Sequence, residues 1–246
     1  MSDRWSALPE FPIPPLRLPA DYDADRLRTL RQAAIEQQHA LEALSRGRLN
    51  VVGEVLKGQG TFYQMNHYPE GDVFDDQSHA QYYYHAHRDG EHGHFHTFVR
   101  RAAIPAHIQP AEGFQRSEPA PQGDDELAHL ICISMDGWGY PQGLFAVNRW
   151  VTDESWYSAD DCITLLDRFR IDHARPNLAV NQWLTAFMRL CRPQIECLLH
   201  HRDRVIDAWQ QAHPDRDVLE DRQLEITGYL PIDMRQWIAA LNELPS

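Results

Sequence analysis

Apolar positions recur along this chain with two periods. Leu27, Leu30, Ala34, Leu41 and Leu44 fall on one stripe and predict a helix from Asp21 to about Arg46. Gly58-Gln-Gly60 breaks the next stretch, and the polar and aromatic residues 61–80 predict a loop. Two β-type runs follow, YYYHAHR (82–88) and HFHTFVR (94–100), joined by DGEHG, which is a hairpin signal. Prolines, a glycine and acidic residues over 105–126 predict a long surface loop. HLICISMD (129–136) and GLFAVNRWV (143–151) predict a second hairpin turned through GWGYPQ. Ser158 stands where it caps a short helix, ADDCITLLDRF. From Pro176 to His213 the period is helical, and Pro193 divides it into two helices. LEITGYLPI (224–232) predicts a short strand and MRQWIAALNEL a last helix. Residues 1–20 hold five prolines and predict an extended arm. The expected fold is α+β, a small antiparallel sheet of two hairpins flanked by helices. It forms one domain over 21–246, preceded by the Pro-rich arm 1–20.

Composition narrows the function classes. The chain has 246 residues, 43% hydrophobic, enough to bury a core without disulfide or metal staples. A net charge of −13 opposes general nucleic-acid binding and docking to anionic lipid, since both need basic surface. No apolar run approaches the roughly 20 residues of a membrane span. The opening MSDRWSALPEFPIPP lacks a basic stretch followed by an apolar one, so it does not read as a signal peptide. Four cysteines without a CxxC pair (Cys132, Cys162, Cys191, Cys197) suggest reduced thiols and a cytoplasmic location.

Histidine is unevenly spread: five of 14 fall within residues 85–96. Side chains alternate faces along a strand. His85 and His87 therefore share one face, as do His94 and His96. A two-residue turn at Gly90-Glu91 sets His85 opposite His96, and one at Asp89-Gly90 sets His85 opposite His94. Either register projects all four imidazoles from the same side, and His92 follows if the strand reaches it. Directly opposed Cβ atoms lie about 4.5–5.5 Å apart, close enough for imidazoles to share one ion. Glu91 and Asp89 at the turn offer carboxylate oxygens. No cysteine is near in sequence, which disfavours a thiolate zinc finger. A His-plus-carboxylate set suits a divalent Fe, Zn, Mn, Ni or Cu ion. The bland alternative is a solvated histidine face, or a hydrogen-bond network with Tyr83, Arg88 and Asp89.

His85-Ala-His87-Arg-Asp-Gly-Glu91 resembles HxHxxxE, the core of the first cupin motif. That resemblance implies a metal held by His85, His87 and Glu91 on a β-barrel. It covers seven residues only. His79 and Phe98 stand where the motif has flanking glycines, and Ala146 replaces the second motif's histidine. Too few strands are predicted for a barrel. His87-Arg-Asp89 also resembles the HxD of Fe(II)/2-oxoglutarate oxygenases. Glu91-His-Gly-His-Phe-His96 is similar to a motif of an uncharacterised bacterial family, which supplies no activity.

Two function classes follow. In the first, His85, His87, Glu91, His94 and His96 hold the ion of a mononuclear metalloenzyme, a hydrolase or a non-haem iron enzyme. An open coordination position meets a small-molecule substrate, and Glu91 serves in proton transfer. In the second, the site is coordinatively closed and the protein is a non-catalytic or structural metal module. A third reading has no metal and a pH-responsive histidine surface. His129 and Asp136 are candidates to join the site from the second hairpin, with Trp138, Asn148, Arg149 and Trp150 as candidate pocket residues. The simpler view makes these aromatics core and Arg149 a surface cation. Asp172-His173 reads as a helix-start contact, His200-His201 as an exposed pair, and Glu196 and Asp203 as surface charges. Oligomeric state is not legible.

Overall fold

A computed structural model describes residues 13, 16, 21–87, 92–114, 117–119 and 121–244. The predicted arm falls outside the described residues except at Ile13 and Leu16, and so do Glu91, Asp89 and Arg88.

The fold is α+β. Six strands form one antiparallel sheet whose spatial order follows the chain: β1 (Tyr68–Phe74), β2 (Ala80–His85), β3 (His94–Arg100), β4 (Leu127–Met135), β5 (Pro141–Val147) and β6 (Ile226–Pro231). The two predicted hairpins are β2–β3 and β4–β5, and they lie side by side through β3–β4 pairing. The sheet is therefore larger than two hairpins. β1 arises within the segment predicted as loop, and β6 pairs with β5. β1 eluded pattern reading because YPEGDVF carries a proline, a glycine and two acids. It is an edge strand with an irregular register against β2, where such residues are tolerated. Among the described residues β1 and β6 form the two sheet edges, so His85, the first residue of the cupin-like string, sits on an open sheet and not in a cupin barrel. Residues 149–151, predicted as strand, form a 3₁₀ turn instead.

The helices are α1 (Ala24–Arg46), α2 (Val51–Leu56), α3 (Ala159–Leu165), α4 (Leu178–Leu190), α5 (Arg192–Ala212) and α6 (Met234–Asn242). Their starts follow capping chemistry. Asp23, Asn50, Ser158, Asn177 and Asp233 each accept a backbone N–H from the first turn. Pro193 sits in the first turn of α5, where its missing N–H removes no helical bond, and it separates α5 from α4 as predicted.

The alternation of the strands sorts residues between two faces. One face carries Tyr82, Tyr84, Phe95, Val99, Ile131, Ile133, Leu144 and Ala146 into a large core with Trp183, Leu184 and Phe187 of α4 and Ile195 and Leu198 of α5. α1 packs along α4 behind it. The approach of α5 is close: a Cβ on Gly228 of β6 would lie 2.6 Å from His201 Cδ2. His201 is thus buried against the sheet, whereas the pattern of α5 suggested an exposed pair with His200. The opposite face carries the histidines, together with Cys132, Phe145 and Val147.

Candidate metal centre

Every β2–β3 pair from Ala80↔Val99 to His85↔His94 follows one register, the one in which His85 opposes His94 and Tyr83 opposes His96. All three histidines therefore leave the sheet on one side. Gly93 begins the return strand with φ +141°, a conformation that L side chains rarely adopt. A Cβ there would fall 2.4 Å from Tyr84 Oη. His87 lies just beyond the end of β2 but keeps to the same side, with its ring centroid 4.2 Å from that of His85.

The donor atoms converge. His94 Nε2 lies 3.0 Å from His85 Nε2 and 3.0 Å from His96 Nε2. One ring nitrogen from each of His85, His87, His94 and His96 falls within 4.8 Å of all the others. His85, His94 and His96 are buried, and His87 is half-buried with its Nδ1 3.2 Å from Met65 Sδ. A ring nitrogen carries either one proton or one in-plane lone pair. His94 Nε2 can therefore complete a linear hydrogen bond with only one of its two Nε2 neighbours. Among the described residues His85 Nδ1 has no hydrogen-bond partner.

Burial also fixes the charge state. It pushes the His85 imidazolium down to about 2, with help from the neighbouring His94, His87 and His67. Burial, followed by His94, His129 and His85, holds His96 well below the ordinary histidine range. Both are neutral bases near neutral pH, the form in which imidazole ligates a metal.

A second group adjoins the first through His96. His96 Nδ1 lies 3.1 Å from His129 Nε2 and 3.3 Å from Cys132 Sγ, and Cys132 Sγ lies 3.5 Å from His129 Nε2. His129 and Cys132 are three residues apart, so a regular strand would turn them to opposite faces. A β-bulge prevents this. Between Thr97↔Ile131 and Phe98↔His129 strand β3 advances one residue and β4 two, leaving Leu130 as the extra residue. His129 had been a candidate from the second hairpin. Cys132 had not, because sequence distance hid what strand pairing brings opposite His96. Behind His129 stands Glu154, fully buried. Its Oε2 accepts the His129 backbone N–H at 2.8 Å, and its Oε1 lies 3.9 Å from His129 Nδ1. Burial pushes its carboxyl up to about 7 against the pull of Arg202. Burial likewise takes His129 down to about 3.

The remaining candidates lie elsewhere. His92 precedes β3 and turns to Tyr84, its Nδ1 2.9 Å from Tyr84 Oη. Asp136 caps its own turn by accepting the Trp138 and Tyr140 backbone N–H groups, and Trp138 is exposed. Asn148 binds the Val218 and Leu224 carbonyls. Arg149 is no surface cation: it is buried and paired with Glu220. Trp150 donates to the Leu224 carbonyl. His173 contacts the Phe74 carbonyl, consistent with a packing role. Glu196 bridges Arg26 and Arg192, and Asp203 pairs with Arg202 while accepting the Ala159 N–H.

An open cleft of about 1120 Å³ adjoins the histidines, with Tyr63, Met65, His67 and Asp72 in its wall. His67 lies in the segment predicted as loop. Its ring stacks on Tyr83 at 3.6 Å and stands edge-on to His85 at 5.5 Å. The cleft thus reaches ring contact with the buried cluster through His67, and sulfur contact through Met65 and His87.

Fold and site together describe an α+β protein whose six-stranded sheet carries buried His and His/Cys groups that could hold a metal ion. The chain belongs to the DUF6969 family, described as a domain of unknown function, whose model matches residues 31–232. That span contains the whole sheet and both donor groups. No curated protein and no solved structure matches the chain. Among the described residues no helix is long and apolar enough to cross a membrane.

Proposed function

We propose that this protein binds a divalent transition metal through His85, His87, His94 and His96 and uses it as a metalloenzyme acting on a small molecule. The observation that carries the reading is the convergence of three buried Nε2 atoms, with His94 3.0 Å from each of its neighbours. His94 Nε2 has one hydrogen-bonding position and two Nε2 neighbours, so as a neutral ring nitrogen it can pair with only one of them. A shared Lewis acid satisfies every lone pair at once, and bonds of about 2.0–2.1 Å to nitrogen suit donors at this spacing. All-nitrogen ligation fits Zn, Fe(II), Mn, Ni or Cu.

Catalysis, more than storage, is favoured by the cleft. His87 is the least buried of the four ligands, and Met65, which it touches, lines the cleft wall. Exchange of ligand or substrate is easiest on that side. Glu91, four residues after His87 in the sequence, is the proposed proton-transfer group. A closed four-histidine site without catalysis is the competing reading, and the three fully enclosed imidazoles favour it.

Elemental analysis of untagged protein, purified without a metal-affinity step, tests the proposal. At least one transition metal per chain is expected, lost on His94→Ala with the fold intact by circular dichroism. Absence of bound metal, with no thermal stabilisation by any of the five ions, overturns it. X-ray absorption separates the two readings. A non-protein ligand beside the histidines supports the enzyme, and four nitrogens alone support the closed module.

A further inference from the structure

We propose that His96 is a bridging ligand between two metal positions. Its Nε2 serves the ion shared with His85, His87 and His94, and its Nδ1 serves a second divalent ion completed by His129 Nε2 and Cys132 Sγ. The inference rests on the reading that the first position binds metal, and it goes beyond the single ion that the histidine hairpin predicts.

The two ring nitrogens of His96 meet different neighbours: Nε2 has His94 Nε2 at 3.0 Å, and Nδ1 has His129 Nε2 at 3.1 Å and Cys132 Sγ at 3.3 Å, with that sulfur beside the ring at 3.9 Å from Nε2. The second set closes on itself, since Cys132 Sγ is 3.5 Å from His129 Nε2. These spacings match ligands that share one ion with bonds of about 2.0–2.1 Å to nitrogen and about 2.3 Å to sulfur. All three residues are buried, so no side chain must be drawn in from solvent. The register change that turns both His129 and Cys132 toward His96 costs the sheet a regular ladder, and bulges of this kind re-aim side chains beside functional sites. Glu154 stands behind His129, without a hydrogen bond to its ring. A metal-ligating histidine usually presents its other ring nitrogen to a carboxylate, and Glu154 Oε1 is 3.9 Å from His129 Nδ1. Glu154 also accepts the His129 backbone N–H, which fixes the strand there.

Loading both positions releases two protons. Cys132 gives up its thiol proton and His96 its ring N–H proton, both to solvent. The second ion then meets one thiolate, one imidazolate shared with the first ion, and one neutral imidazole. The mixed nitrogen and sulfur set suits Zn(II) or Co(II), and leaves a tetrahedral ion one open position.

The test titrates metal-free, untagged protein with cobalt(II), following binding by dialysis and absorbance. Two ions per chain are expected, with a thiolate-to-cobalt charge-transfer band in the near ultraviolet. Cys132→Ser should abolish the band and lower the stoichiometry from two to one. His129→Gln should lower it likewise, as a second variant should the serine chain fail to fold. The electron paramagnetic resonance signal of the doubly loaded protein should fall short of twice that of singly loaded Cys132→Ser, because a shared imidazolate couples the spins. One ion in the wild type, retained in Cys132→Ser and lost in His94→Ala, overturns the second position and leaves the first standing. Two ions without the band, or with additive signals, overturn the bridge. No bound ion overturns both this inference and the reading beneath it.

Discussion

The two faces of this sheet are built from the same strands and solve opposite problems. Along β3, Phe95 and Val99 enter the helix-backed core while His94 and His96, one residue away, enter the donor cluster. Both faces exclude water: β4 is buried from Ala128 to Met135 without a break. On the helix face, burial is itself the stabilising term, since apolar area leaves water and side chains interlock. Phe95 there packs against Tyr82, Tyr84 and Trp183. On the histidine face, burial is a cost. Desolvation forces the imidazoles neutral, and their crowded nitrogens compete for protons. A sheet can carry such a face because the other one holds the fold. The difference separates what keeps the protein folded from what a ligand would have to satisfy.

The sharpest way to break this contrast is to attack each face in turn. Trp183→Ala removes the largest α4 side chain from the helix face and should destabilise by about 3–5 kcal/mol in denaturant unfolding. A loss below about 1 kcal/mol would mean that this face is not the structural one. Metal should act only on the other face. At a free concentration a thousand times its dissociation constant, an ion bound to the native state adds about 4 kcal/mol. His94→Ala should show none of that gain at the first position, by thermal unfolding with and without metal.

Acid should separate the faces next. In metal-free protein, His85, His96 and His129 stay neutral in the native state while their unfolded counterparts protonate below about 6.5. The unfolded state then binds more protons, so stability is greatest above pH 6.5 and falls as pH drops. Glu154 opposes this: its raised pKa of about 7 keeps a native proton that the unfolded state has lost above about 4.5. For these four groups the net between pH 6.5 and 4.5 is about two protons, or about 3 kcal/mol per pH unit. Below 4.5 the opposition ends and the slope steepens. A flat profile from pH 7 to 5 would contradict neutral burial of the cluster. Bound metal at the first position should raise this part of the curve without flattening it, because the native imidazoles are already neutral. The smallest expected effect is His92→Ala. It breaks the Tyr84 contact and should cost about 1 kcal/mol, with metal content unchanged. Loss of metal in that variant would enlarge the site beyond the four hairpin histidines.

Much of the architecture was legible because it is local. The stripe of α1, the Ser158 cap, the break at Pro193 and the two hairpins each depend on residues a few positions apart, where period and capping chemistry act. β1 was hidden because edge pairing tolerates proline and glycine that a propensity reading rejects. His201 and Arg149 looked exposed by pattern, yet tertiary packing buries both, one against Gly228 and the other beside Glu220.

The candidate site divides along the same line. That His85, His94 and His96 share a face follows from residue order alone, because strand parity is fixed by backbone geometry and both two-residue turns preserve it. Which register holds, and that β4 lies beside β3, came from the packing of the whole chain. The same packing decided that a bulge at Leu130 brings His129 and Cys132 onto His96. Pairing of distant strands, and the slip of one residue between them, are set by how two whole faces pack. No short stretch of sequence carries that information.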